Sequence, residues 1–97
     1  MSQKNIDFLI ELQDLIDERK IKLPDGSYTT KLFKAGINKI AQKVGEEAVE
    51  LIIESKDNDS NLLLKEAADL VYHVLVLLSA KGHRIEEVIK ILEKRHK

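Results

Sequence analysis

The feature that most constrains this chain is a pair of carboxylates set in an otherwise apolar segment. Glu66 and Asp69 are followed by His73, and the residues around them up to position 78 are almost all aliphatic. Residues three or four apart share one face of an α-helix, so these polar side chains would form one stripe. A helix that is apolar nearly all round is normally buried, and a buried carboxylate is costly unless something pairs with it. No Lys or Arg lies between residues 66 and 80, so a bound cation is the simplest partner.

A second acidic cluster precedes the first. Glu46, Glu47 and Glu50 would project together from the preceding helix. Such a cluster is usually a solvated helix face, but a solvated face normally interleaves lysines. Here Lys39 and Lys43 lie N-terminal to the acids, and like charges four residues apart cost about 0.2–0.5 kcal/mol per pair. The two clusters together therefore predict a metal site, and carboxylate ligands without cysteine favour Mg²⁺, with Mn²⁺ as the alternative, over Zn²⁺.

Length and composition predict one cytoplasmic domain over residues 1–97. The hydrophobic fraction is 43% with two Tyr and two Phe, so an aliphatic core is expected. A net charge of -1 gives no basic excess for nucleic acid, and the absence of cysteine excludes disulfides and thiolate metal sites. The first ten residues do not resemble a secretory signal, and the longest apolar run, residues 70–80, is too short to cross a bilayer. We therefore expect neither a nucleic-acid nor a membrane partner.

The hydrophobic periodicity predicts an all-α fold, a small antiparallel bundle of four to five helices. Helices are predicted over residues 2–20, from Ser27 or Thr29 to residue 35, over residues 37–55, from a cap at Asp59 or Ser60 to about residue 81, and from about residue 85 onward. Gly36 and Gly82 are placed to end the second and fourth helices.

Two of these helices have apolar faces that we expect to be buried. On the third helix the inward residues are predicted to be Ile37, Ile40, Ala41, Val44, Ala48, Leu51 and Ile52, and on the last helix Ile85, Val88, Ile89 and Leu92. The fourth helix has more apolar surface than short neighbours can cover. We therefore expect a homodimer whose two-fold interface buries residues 70–78.

Several runs of residues resemble a known family. The spacing Glu47-x-x-Glu50 with Glu66-x-x-Asp69 on consecutive helices resembles the all-α nucleotide pyrophosphohydrolases of the MazG-like superfamily. Further runs resemble the phosphoribosyl-ATP pyrophosphohydrolase family of histidine biosynthesis. These runs are Ser27-Tyr28-Thr29, Lys31-Leu32-Phe33, Lys43-Val44-Gly45-Glu46-Glu47-Ala48-Val49-Glu50 and Glu66-Ala67-Ala68-Asp69-Leu70-Val71-Tyr72-His73.

The resemblance implies hydrolysis of the α–β phosphoanhydride of phosphoribosyl-ATP to phosphoribosyl-AMP and pyrophosphate. It implies four metal ligands, Glu47, Glu50, Glu66 and Asp69, and four carboxylates leave room for a second ion. Glu46 or Glu47 is the candidate to orient or deprotonate the attacking water.

The same resemblance suggests how the substrate is held. Lys39 and Lys43 would meet the triphosphate, and Arg84 is a weaker phosphate candidate, although all three could be solvated surface cations. His73 is assigned to the substrate side of the site, as a hydrogen-bonded histidine rather than a metal ligand.

Two other functions fit the sequence less completely. A MazG-like enzyme that removes damaged or non-standard nucleoside triphosphates would share the metal site and differ in the base and ribose pocket. A non-catalytic helical dimerisation module would keep the apolar stripes but would have no use for acids on an apolar helix.

Overall fold

The computed structural model describes residues 3–96, which form five α-helices and no strand. The helices are α1 (Gln3–Lys22), α2 (Tyr28–Ala35), α3 (Ile37–Glu54), α4 (Ser60–Ala80) and α5 (Ile85–Arg95). The predicted all-α fold is confirmed, and the helix bounds agree with the sequence prediction to within two residues. The predicted start of the first helix at residue 2 lies outside the described residues. None of the described helices combines the length and the apolar content needed to cross a membrane.

The helix ends follow from their capping residues. The Ser27 side chain accepts a hydrogen bond from the Thr30 N–H at 3.2 Å and starts α2, and Asp59 accepts from the Leu62 N–H at 3.1 Å and starts α4. After α4, Gly82 has a φ of 77°, and the next N–H, that of His83, donates to the carbonyl of Leu78 at 2.8 Å. This is the left-handed helix ending that a glycine permits.

A single residue separates α2 from α3. Gly36 has a φ of 97°, its N–H donates to the Leu32 carbonyl at 3.1 Å, and its carbonyl accepts from Ile40 at 3.2 Å. It therefore closes one helix and opens the next. A side chain would be strained at this backbone angle, so the glycine fixes the turn between the two helices.

The core lies where α1, α2, α3 and α4 meet. Its buried apolar members are Ile16, Leu32, Ile40, Leu75 and Val76. The α3–α4 pair forms the most extensive helix contact. Gln13 is buried beside this core, where its Nε2 donates to the Leu75 carbonyl at 3.2 Å and its Oε1 accepts from the Ile85 N–H at 2.9 Å. This side chain links α1 to α4 and to the start of α5.

The predicted buried faces are partly wrong within this chain. Of the seven residues predicted to face inward on α3, only Ile40 is buried, and Ile52 is 59% exposed. On α5 no residue is buried, and Leu92 is among the exposed large hydrophobics. The reason is that α3 packs mainly against α4 and α2, so its opposite face has no neighbour in the described chain.

The predicted interface over residues 70–78 also needs correction. Leu75 and Val76 are fully buried in the chain's own core, whereas Val71 is 46% exposed. An α-helix turns successive side chains to different directions, so one apolar stretch serves both the internal core and an outer surface.

Candidate active site

Three carboxylates meet between α3 and α4. Glu47 comes from α3, Glu66 and Asp69 come from α4, and one oxygen from each lies within 4.8 Å of the others. Both segments lie about two turns from the 55–59 connector, so folding the two helices against each other brings them to the same level. The structure thus brings together three of the four predicted metal ligands.

The other two acids of the α3 cluster do not belong to this group. Glu50 is exposed and does not belong to the group of three, so its role as a ligand stays a prediction. Glu46 is half-exposed, accepts a hydrogen bond from Gln42 at 2.9 Å and lies 3.4 Å from the Lys43 ammonium. Hydrogen bonds from Gln42 and Lys43 lower the pKa of Glu46. Its role toward water likewise stays a prediction.

Burial of the carboxylates differs from the sequence-based expectation. The side chains of Glu47 and Glu66 are 14% and 13% exposed, whereas Asp69 is 40% exposed. The expectation that Asp69 lies among apolar neighbours without a cationic partner is wrong. Lys65 immediately precedes the apolar segment of residues 66–80, and its ammonium lies 3.1 Å from Asp69 and 3.6 Å from Glu66. The spacing of four residues could have revealed the first of these pairs.

The donor set fits a hard cation. Lys43 lies 3.6 Å from Glu47 but also 3.4 Å from Glu46, and Lys65 contacts Asp69 and Glu66, so these two ammonium groups offset only part of the charge of the three carboxylates. All the candidate donor atoms are carboxylate oxygens, which Mg²⁺ and Mn²⁺ prefer. The residues present therefore suit the ion that the sequence predicts.

His73 is hydrogen-bonded to two other residues of the site. It is buried, its Nδ1 lies 2.6 Å from the Asp69 carbonyl, and its Nε2 lies 2.7 Å from the Tyr28 hydroxyl. Because a carbonyl can only accept, Nδ1 carries the proton, and in the neutral ring Nε2 accepts from the Tyr28 O–H. With both nitrogens engaged, the arrangement agrees with a hydrogen-bonded histidine rather than a metal ligand.

A second hydrogen bond joins α2 to α4, the two helices that the Tyr28–His73 hydrogen bond also joins. The hydroxyl of Thr29 on α2 is hydrogen-bonded to that of Tyr72 on α4. The rings of Tyr28 and Tyr72 both stand edge-on to the His73 ring, with centroids 5.7 and 5.8 Å away. The first turn of α2 is therefore fastened to α4 just beyond Asp69.

A pocket of about 300 Å³ lies between α2 and α3 and is lined by Tyr28, Lys31, Leu32, Ala35, Lys39 and Lys43. We call it the three-lysine pocket. It contains the two predicted phosphate-binding lysines of α3 and adds Lys31, to which the sequence had assigned no role.

Tyr28 connects the three-lysine pocket with the carboxylates. Burial raises the pKa of the Tyr28 phenol above its ordinary value of 10.0, the charge of Lys43 acts against this, and the charge of Glu47 adds to it. Tyr28 is a site residue that sequence reasoning noted only within the resemblance, because nothing in the local pattern tells where a residue in a first helical turn will point.

Arg84 lies in a different network. Its guanidinium lies 2.7 Å from Asp14, 2.9 Å from Asp17 and 3.1 Å from Glu86, and its hydrogen bonds to Glu86 and Asp17 raise its pKa. These contacts join α1 to the start of α5. The predicted phosphate contact gains no support from this placement.

Comparison with known sequences decides the family. The sequence profile described as phosphoribosyl-ATP pyrophosphohydrolase matches residues 9–96. This chain belongs to the phosphoribosyl-ATP pyrophosphohydrolase family. It is similar to a phosphoribosyl-ATP pyrophosphatase of Leptospira biflexa, with 45% identity over 91 residues that cover 94% of this chain and 99% of the relative.

Other members of the phosphoribosyl-ATP pyrophosphohydrolase family are longer. The histidine biosynthesis bifunctional protein HisIE of Bacteroides thetaiotaomicron is 54% identical over 95 residues, which cover 98% of this chain and 47% of that protein. The HisIE of Bacillus subtilis is 50% identical over 86 residues, which cover 89% of this chain and 41% of that protein. The chain thus spans less than half the length of these bifunctional relatives.

The placement of Arg84 generates a testable prediction. We expect Arg84→Gln to lower the free energy of unfolding by about 1 kcal/mol, the size expected for a partly exposed ion-pair network. The KM for nucleotide should not change, because the guanidinium is engaged by Asp14, Asp17 and Glu86. Urea unfolding and steady-state kinetics measure the two quantities. Lys81→Gln, which removes a nearby exposed cation, is the control. A severalfold rise in KM at unchanged stability would restore the phosphate role of Arg84.

Proposed function

We propose that this chain hydrolyses the α–β phosphoanhydride of phosphoribosyl-ATP to phosphoribosyl-AMP and pyrophosphate, the second step of histidine biosynthesis. The observation that carries the proposal is the meeting of Glu47, Glu66 and Asp69 beside a pocket rimmed by three lysines. In the hydrolysis of a phosphoanhydride, the transition state carries negative charge on the phosphate oxygens. An enzyme accelerates this reaction mainly by stabilising that charge. The family membership and the name of the Leptospira relative support the same substrate.

Glu47, Glu66 and Asp69 would hold Mg²⁺, or Mn²⁺ in its place, with Glu50 as the candidate fourth ligand. When bound, the ion would offset charge on the phosphate oxygens and make a water more acidic. Lys43 lies one helical turn from Glu47 and would place a further positive charge against the triphosphate. Glu46 or Glu47 would orient the attacking water; the hydrogen bonds from Gln42 and Lys43 that lower the pKa of Glu46 favour its ionised form, which can accept a hydrogen bond from that water.

The direct test is pyrophosphate release from phosphoribosyl-ATP beside a panel of ordinary and modified nucleoside triphosphates, with Mg²⁺ and with chelator. We expect phosphoribosyl-ATP to be the preferred substrate and chelator to abolish turnover. Activity confined to ordinary or damaged triphosphates would instead favour the MazG-like role in nucleotide removal. Absence of activity on every compound would favour a non-catalytic module.

Asp69→Asn tests the metal site. The substitution keeps the shape and removes one of three mutually repelling charges, at the cost of an exposed pair with Lys65 that contributes about 0–1 kcal/mol. We expect turnover to be lost and the melting temperature in chelator to stay equal or rise. The stabilisation that Mg²⁺ gives the parent, about 2.7 kcal/mol at a hundredfold excess over Kd, should disappear. Thermal melts of both proteins with Mg²⁺ and with chelator measure this.

Glu50→Gln is the companion variant, since it tests the candidate fourth ligand, a carboxylate that lies outside the group of three. A reduced response to Mg²⁺ in Glu50→Gln would establish Glu50 as the fourth ligand, and an unchanged response would leave three. Should Asp69→Asn melt well below the parent in chelator, Asp69 is a structural partner of Lys65 and the metal assignment fails.

We also propose that the chain acts as a cytoplasmic homodimer. An exposed apolar stripe on α3 supports this, formed by Val49, Ile52 and Ile53, which are all at least half exposed. Leu64 and Val71 extend the exposed apolar surface on α4. Monomeric proteins rarely leave so much contiguous apolar surface in water, and a two-fold partner is the commonest cover.

Ile52→Glu should therefore separate the dimer into monomers. Ile52 is 59% exposed, so the change spares the chain's own core. Ile21→Glu is the control, because Ile21 is 81% exposed on another helix and gains the same charge. Light scattering after size exclusion at micromolar concentration should give a dimer for the parent and for Ile21→Glu, and a monomer for Ile52→Glu. A monomeric, active parent protein would refute the proposal.

A further inference from the structure

The three-lysine pocket extends away from the carboxylates along α3. Lys43 lies four residues and Lys39 eight residues before Glu47, which places them about 6 and 12 Å from it along the helix axis. Lys31 faces the same pocket from α2. The pocket therefore extends along α3 from Lys43, beside the carboxylates, to Lys39, with Lys31 on the wall that α2 forms.

The three lysines of the pocket differ in their partners. The ammonium of Lys43 lies 3.4 Å from Glu46 and 3.6 Å from Glu47, so its charge is shared with the carboxylate end. Lys31 and Lys39 are exposed, and within residues 3–96 neither has a carboxylate oxygen within 4.0 Å. Two ammonium groups from different helices are thus available to an anion in the pocket.

The rest of the pocket lining is apolar, and one of its walls is held in a fixed position. Leu32, which is buried in the core, and Ala35 contribute carbon surface. The ring of Tyr28 lines the pocket and is held in place by its hydrogen bond to the buried His73. Such a lining suits a flat aromatic group such as a nucleobase, with anions at either end.

The substrate of the proposed reaction has this arrangement of charge. Phosphoribosyl-ATP carries a triphosphate on one ribose and a phosphomonoester on the other, with the base between them, whereas ATP carries only the triphosphate. We propose that Lys31 and Lys39 form a subsite for the phosphomonoester of the phosphoribosyl group, and that this subsite distinguishes phosphoribosyl-ATP from ATP. The inference rests on the proposed function, and it moves Lys39 from the triphosphate to the opposite end of the substrate.

The first experiment compares Lys31→Ala with Lys34→Ala. Both remove a lysine from α2, but Lys34 does not line the three-lysine pocket. A hydrogen bond between charged groups changes affinity by about 10- to 100-fold, so kcat/KM for phosphoribosyl-ATP should fall by that factor in Lys31→Ala. It should be unchanged in Lys34→Ala, and Lys31→Arg should retain most of the parent value. Equal values for Lys31→Ala and Lys34→Ala would overturn the proposal.

The second experiment locates the phosphate that is recognised. Titration calorimetry with phosphoribosyl-AMP and with AMP measures the contribution of the phosphoribosyl group directly. The parent should bind phosphoribosyl-AMP more tightly, and Lys31→Ala should lose that advantage while binding AMP as the parent does. Equal weakening of both ligands would place Lys31 at the phosphate they share and would overturn the subsite.

The binding comparison is independent of turnover. A parent protein that fails to hydrolyse phosphoribosyl-ATP would refute the proposed reaction, whereas the ratio of the affinities for phosphoribosyl-AMP and AMP decides the subsite alone.

Discussion

Three carboxylates held within 4.8 Å of one another are the constraint around which the rest of the fold is arranged. In the absence of a cation they repel, and two of them are largely shielded from water, which makes the repulsion stronger than on an open surface. The packing of α3 against α4 has to overcome that repulsion. Ile40, Leu75 and Val76 supply buried apolar contact for this, while Lys43 and Lys65 offset part of the charge at the rim.

The short helix α2 depends on the same pair of helices. Eight residues form a marginal helix by themselves, so its position has to come from tertiary contacts. Leu32 enters the core, and Tyr28 and Thr29 are hydrogen-bonded to His73 and Tyr72 on α4. His73 is also hydrogen-bonded to the carbonyl of Asp69. One buried imidazole therefore links the acidic cluster with α2, the helix that brings Lys31 to the pocket.

Local sequence patterns were sufficient to predict the helices and the carboxylate cluster. Apolar periodicity marks the helices, Ser27, Asp59 and Gly82 mark their ends, and the spacing of the acids places them on defined faces. Such patterns specify which face a residue shares, but not which element will lie opposite that face. For this reason the exposure of Ile52 and the contact of Tyr28 with His73 were not predicted.

The cationic partners show the same limit. Arg84 pairs with acids far from it in the sequence, on α1, and no spacing rule could have located them. Lys65 is different, because its partner Asp69 lies four residues away on the same helix and was within reach of a local argument. Lys31 was noted only within the family resemblance, because its role depends on a pocket that α2 and α3 form together.

The one-residue junction at Gly36 bears on how selectivity could evolve here. Because no loop intervenes, the position of α2 against α3 depends on a single backbone conformation. A side chain introduced at residue 36 would strain that conformation and move the α2 wall of the pocket as a unit, whereas replacing a lysine would change the charge that a ligand meets without moving either helix. The width of the pocket and its charge can therefore change through separate mutations.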